Sequence, residues 1–164
     1  MFAAERPIAA PYSAPVRPSV LLAVAVGGVL GAMTRVGIGE AFFPTDPEIA
    51  PNGLDFPWAT LIVNIAGCLL IGLANPLLQS WASRPTPAWT AARMEWVRSF
   101  IVVGFLGGFT TFSALAAETW LIAGDQAIGL ALVYLLATVV GGLLAVAVGS
   151  TLAQTMRGRA GEST

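Results

Sequence analysis

The densest chemistry in this 164-residue chain lies in ten consecutive residues, Gly104-Phe105-Leu106-Gly107-Gly108-Phe109-Thr110-Thr111-Phe112-Ser113. Three glycines and three hydroxyl residues fall near the middle of an apolar run. A Gly-Gly pair followed by Thr-Thr weakens a helix there and supplies hydroxyls to the backbone groups it frees. The expectation is a helix broken partway across a membrane, whose exposed ends offer carbonyls to a cation and amides to an anion. Phenylalanine adds a ring with a partly positive edge, so an anion could slide past such edges. A second set, Thr60, Asn64, Gly67, Ile71 and Asn75, falls in one narrow stripe when wound at about 100° per residue. An unpaired amide or hydroxyl is costly in hydrocarbon. The stripe therefore either lines a wet pathway or bridges neighbouring helices. Cys68, beside it, reads as small apolar filler.

The elements that position these residues follow from composition. Hydrophobic residues make up 56% of the chain and charged ones 10%, with no histidine and one cysteine; the mean hydropathy is +0.78. Soluble domains carry more charge than this, so the chain reads as an integral membrane protein. A zinc site, a Ser-His-Asp triad and an internal disulfide framework all lack their residues, and no nucleophile is paired with a base, which argues against an enzyme. A net charge of −1 with scattered arginines offers no face for nucleic acid.

Four apolar segments, at about 20–43, 56–78, 96–122 and 126–153, are each long enough to cross roughly 30 Å of hydrocarbon. They lack the alternation of a barrel, so the fold class is all-α, with four transmembrane helices and the third broken near the midplane. Residues 1–19, with Pro7, Pro11, Pro15 and Pro18, read as a disordered tail rather than a cleaved leader. Residues 154–164 read as a C-terminal tail. Gly27 and Gly31, Gly28 and Ala32, and Gly141, Ala145 and Gly149 stand four apart and predict close helix packing.

Arginine sets the orientation. Arg6 and Arg17 precede the first span, Arg84, Arg93 and Arg98 lie between the second and third, and Arg157 and Arg159 follow the fourth. The other two loops hold no arginine, only Asp46, Glu48, Asp55 and Asp125. Seven against none predicts a single orientation with both termini in the cytoplasm.

Gly28-Val29-Leu30-Gly31-Ala32-Met33-Thr34-Arg35, the run from Thr60 through Asn64 to Gly72, and Gly104 through Ser113 with Glu118 beyond closely resemble the CrcB/Fluc family of fluoride channels. The resemblance spans all four segments. It implies a passive fluoride channel in the bacterial plasma membrane, built as an antiparallel dimer with two pores at the subunit interface. By position it puts Asn64, Thr60, Phe112, Tyr134 and Thr138 at the fluoride pore, with Phe109, Thr111 and Ser113 counted beside them. A structural sodium ion at the dimer centre would rest on the backbone carbonyls of Gly107 and Thr110. Arg35 and Glu118 match vestibule or helix-pairing positions. Fluoride is small and tightly hydrated, and neutral amide, hydroxyl and ring-edge donors could replace its water without trapping it.

Two positions depart from the family pattern: Leu115 stands where a second pore phenylalanine is expected, and Gly142 where a polar residue is. With the arginine bias, these predict one half of a heterodimer, paired with a homologue inserted the other way up. The rival readings are a small multidrug exporter dependent on Glu40, and a non-conducting assembly subunit.

Overall fold

The computed structural model describes residues 17–42, 56–82, 87–124 and 127–162. Residues 1–16 of the tail expected at 1–19, the loops carrying Arg84, Asp46, Glu48, Asp55 and Asp125, and the last two residues lie outside them, while Pro18 and Ser19, expected in that tail, open the first helix, where proline is tolerated. Among the described residues every element is helical: α1 (Pro18–Phe42), α2 (Trp58–Ala82), α3 (Ala88–Arg98), a π-helical segment Ser99–Leu106, α4 (Gly107–Phe109), α5 (Phe112–Gly124) and α6 (Ile128–Glu162). The stretch from α3 to α5 is the third span, so four segments are long and apolar enough to cross a bilayer.

Two boundaries move from their sequence expectation. The third span begins at Ala88 rather than near position 96. Its first turns, Ala88 to Arg98, are too polar to enter an apolar window, yet alanine, methionine, glutamate and arginine favour helix. The last helix runs on through Glu162, so residues 154–162 of the expected C-terminal tail are helical and continuous with it. Ala153, Gln154, Met156 and Arg157 sustain it past the point where hydropathy falls.

Glycine fixes the two main seams. A methyl group placed on Gly27 would lie 2.8 Å from the Phe105 nitrogen, and one on Gly104 2.8 Å from the Val24 carbonyl oxygen. Gly31 meets the Phe105 carbonyl and the Phe109 nitrogen, and Gly108 meets the Gly28 carbonyl. Contacts advance in the same direction along both chains, so α1 and the third span run parallel, backbone against backbone. The second seam joins α2 to α6: Gly141 meets Ile65, Gly142 meets Cys68, Gly72 meets Val146, and Gly149 meets Leu69 and Leu73. This pair is parallel too. The expected small-residue packing is thus realised within the chain. A cluster of Leu61, Leu115, Ile122, Ala131 and Tyr134 closes α5 against α2 and α6.

At one end of the bundle, Arg17 at the start of α1 faces Glu95 of α3 at 3.7 Å. Arg98 donates to the Asn75 side-chain carbonyl at 3.2 Å. Both are surface contacts and add little stability, but they show that the beginnings of the first and third spans and the end of the second share one level.

Candidate functional site

The third span breaks where the sequence predicts. Helix α4 ends at Phe109, and Thr110 is extended, with φ −76° and ψ 154°. Helix α5 restarts at Phe112. The Thr110 N–H and its hydroxyl both donate to the Leu106 carbonyl at 3.0 Å, tightening the last turn before the break. On the far side the Thr111 hydroxyl accepts the Ala114 N–H at 3.1 Å, a cap for the new helix. Ser113 is exposed, its hydroxyl 3.2 Å from that of Thr111. The π-helical turns lie immediately ahead of the break, a frequent setting for functional sites.

Asn64, on α2, holds the break open. Its Oδ1 accepts the Thr111 N–H at 2.7 Å, and its Nδ2 donates to the Thr111 carbonyl at 3.0 Å. The side chain is 7% exposed, so it pairs with the irregular residue as a second peptide would. Gly67, one turn on, leaves room for the Thr110 methyl and the Phe109 ring. One turn earlier the Thr60 hydroxyl donates to Glu118 Oε1 at 2.7 Å. The stripe on α2 is therefore a bridge to the third span along its length, with Asn75 on Arg98 at its end. Thr60, Asn64 and Asn75 thus each hydrogen-bond the third span, and Asn64 also lines the cavity beside the break.

Glu118 joins three helices. Its second oxygen accepts the Tyr134 hydroxyl at 2.5 Å, and Tyr134 is 0% exposed, edge-on to Phe56. Of the two roles expected for Glu118, the structure gives helix pairing. Thr138, one turn beyond Tyr134, returns its hydroxyl to the Tyr134 carbonyl at 2.9 Å. Arg35 is half-buried on α1, one turn past Gly31, and its Nε has no hydrogen-bond partner among the described residues.

A cavity of about 270 Å³ opens beside the break, lined by Asn64, Thr110, Thr111, Phe112 and Thr138 with an apolar wall that includes Cys68, Leu115 and Gly142. Phe112 is 75% exposed at its mouth. The structure thus gathers four expected pore residues, Asn64, Thr111, Phe112 and Thr138. It sets four others apart: Thr60 and Tyr134 are committed to Glu118, Ser113 stands outside, and Phe109 is buried. The Phe109 ring stacks on Phe105 at 6.1 Å and lies against Gly67 of α2. Both departures from the family pattern, Leu115 and Gly142, line the cavity. Cys68 belongs to the same wall.

The geometry defines a class: a four-span, all-helical membrane protein whose third helix is interrupted beside a cavity lined by neutral hydrogen-bonding groups. Residues 22–150 match the family described as CrcB-like protein, Camphor Resistance (CrcB). The chain belongs to the CrcB family. It is 38% identical over 146 residues to a protein of Nocardia farcinica named fluoride-specific ion channel FluC 2, covering 89% of this chain and 93% of that one. Over 132 residues it is 41% identical to the fluoride-specific ion channel FluC of Sphingopyxis alaskensis, covering 80% and 93%. Over 140 residues it is 39% identical to that of Bordetella petrii, covering 85% and 95%.

Proposed function

We propose that this chain is a subunit of a passive, fluoride-selective ion channel that lets fluoride leave the cell across the plasma membrane, and not an enzyme. The observation that carries the reading is the cavity beside the break, where an amide and threonine hydroxyls face apolar walls without a charged side chain among the lining residues. Such a lining can exchange for the hydration of a small anion and still release it. Asn64 has one amide hydrogen left after pairing with Thr111, and Phe112 presents its ring at the mouth.

The functional unit is an antiparallel dimer, more readily formed with an oppositely oriented homologue than with a second copy. The support is the one-sided arginine distribution, which favours a single orientation with both termini in the cytoplasm, together with the exposed Phe112 beside an open cavity. A sodium ion at the dimer centre fits the carbonyls that the family resemblance points to. In a continuous helix the Gly107 carbonyl would take the Thr111 N–H and the Thr110 carbonyl the Ala114 N–H. Here those donors go to Asn64 and to the Thr111 hydroxyl. Both carbonyls thereby lose their helical donors, and carbonyl oxygen suits a hard cation. Bound there, sodium would supply a fixed positive charge.

The test is fluoride-electrode efflux from liposomes, with the chain alone, with its inverted homologue, and with Phe112→Ala. Fluoride flux far above chloride flux, lost in the variant, is expected. Equal flux of both anions refutes the channel reading. Full activity of the chain alone refutes the requirement for a homologue.

A further inference from the structure

The two carbonyls freed at the break are freed by two identifiable side chains. Asn64 takes the N–H that belongs to Gly107, and the Thr111 hydroxyl takes the N–H that belongs to Thr110. We infer that Asn64 and Thr111 are positioning residues for the cation site, which hold two helical hydrogen bonds severed so that the Gly107 and Thr110 carbonyls stay available. This rests on the proposed cation reading and assigns Asn64 a task besides touching the anion.

Side chain and backbone carbonyl compete for the same N–H. Each severed bond has two sides, and in a membrane neither can be left to water. Oδ1 of Asn64 occupies the donor side of the first, and a cation would occupy its acceptor side. Remove the Asn64 amide, and the buried Thr111 N–H recovers a partner most readily by returning to Gly107, one helical turn back, which draws that carbonyl into the ladder. The same holds for Thr111, Ala114 and Thr110. Side chain and cation therefore support each other, and by linkage loss of either weakens the other. The double pairing at Thr111 strengthens the case: an Asn placed only to donate to an anion need not also accept from the backbone.

The experiment uses the full chain in its conducting assembly in lipid, with Asn64→Ala, the isosteric Asn64→Asp and Thr111→Val. Amide hydrogen exchange across 107–114 is followed as sodium replaces N-methylglucamine, and fluoride flux is measured at the same sodium concentrations. In Asn64→Ala and Thr111→Val the sodium concentration for half-maximal protection is expected to rise by about tenfold, with flux restored at saturating sodium, while Asn64→Asp, which keeps an oxygen to accept the Thr111 N–H, should hold the unmodified midpoint. At saturating sodium, where the cation holds the two carbonyls, faster exchange at Thr111 is expected in Asn64→Ala, and at Ala114 in Thr111→Val. An unchanged sodium midpoint in Asn64→Ala and Thr111→Val, with flux lost equally at every sodium concentration, overturns the inference and makes Asn64 an anion ligand only. Absence of any sodium effect on the unmodified chain removes the cation reading and the inference with it. Because exchange at Thr111 is read without flux, the two failures are distinguishable, and Asn64→Asp guards against a misfolded alanine variant.

Discussion

Substituting Gly31 by alanine tests the backbone seam between α1 and the third span most directly. The added methyl would sit 2.8 Å from the Phe109 nitrogen and closer still to the Phe105 carbonyl oxygen. Ordinary contact begins at 3.4 Å, so the Phe109 backbone must retreat by at least 0.6 Å, the difference between 3.4 and 2.8 Å, and Phe105 by more. Neither is a flexible side-chain end that could swing aside. Overpacking of this kind costs about 1–3 kcal/mol, and the displacement lands on the last turn before the break. Gly37, on the same helix with nothing within 4 Å, is the control: alanine there removes a flexible residue and stabilises by up to about 1 kcal/mol. The two variants should differ by about 1–4 kcal/mol in unfolding free energy, measured by titration with SDS in the same mixed micelles. Fluoride flux should fall in Gly31→Ala alone. Equal stability of the two variants would refute the claim that the seam is a rigid backbone contact.

Tyr134→Phe removes a donor from Glu118 and should cost about 1.5–3 kcal/mol in thermal unfolding; combined with Thr60→Val, which removes the other, the loss should be non-additive because both hydroxyls serve one carboxylate. Leu115→Phe should shrink the cavity and raise fluoride flux if its ring restores the missing edge, a result read in the liposome assay. Gly142→Ser should be tolerated only together with Cys68→Ala, since a Cβ at 142 lies 3.2 Å from the Cys68 sulfur, and circular dichroism melting would show the difference. Epitope tags at the two termini should be reached by protease from the cytoplasmic face alone; access from both faces would contradict the arginine argument.

The break was legible because its causes are local. Gly107, Gly108, Thr110 and Thr111 weaken one turn and repair it, whatever surrounds them. The small-residue seams were legible for a similar reason, since spacing by four is a property of a single helix. What Asn64 does was not, because its partner is a backbone group 47 residues away, and no feature of α2 reveals that the amide is used on both sides. Phe109 and Phe112 look equivalent in a string of aromatic and hydroxyl residues. Helix phase separates them only after the break has reset it, sending the first inward to Phe105 and the second to the cavity mouth. Glu118 stood out only as a position the family resemblance marks; that Thr60 and Tyr134 both donate to it depends on the packing of three helices. The continuation of α6 to Glu162 escaped a hydropathy criterion, which measures solvent preference and not helix propensity.

The parallel glycine seams also set how the molecule can respond to temperature. Helices that touch through backbone carbonyls and Cα atoms have no compliant side-chain layer between them, so α1 cannot slide along the third span, nor α2 along α6, without unlocking many atoms at once. A carrier that rocks must soften such boundaries in every cycle and inherits a steep activation enthalpy. With both seams locked, flux through this protein is expected to show the shallow temperature dependence of diffusion in water.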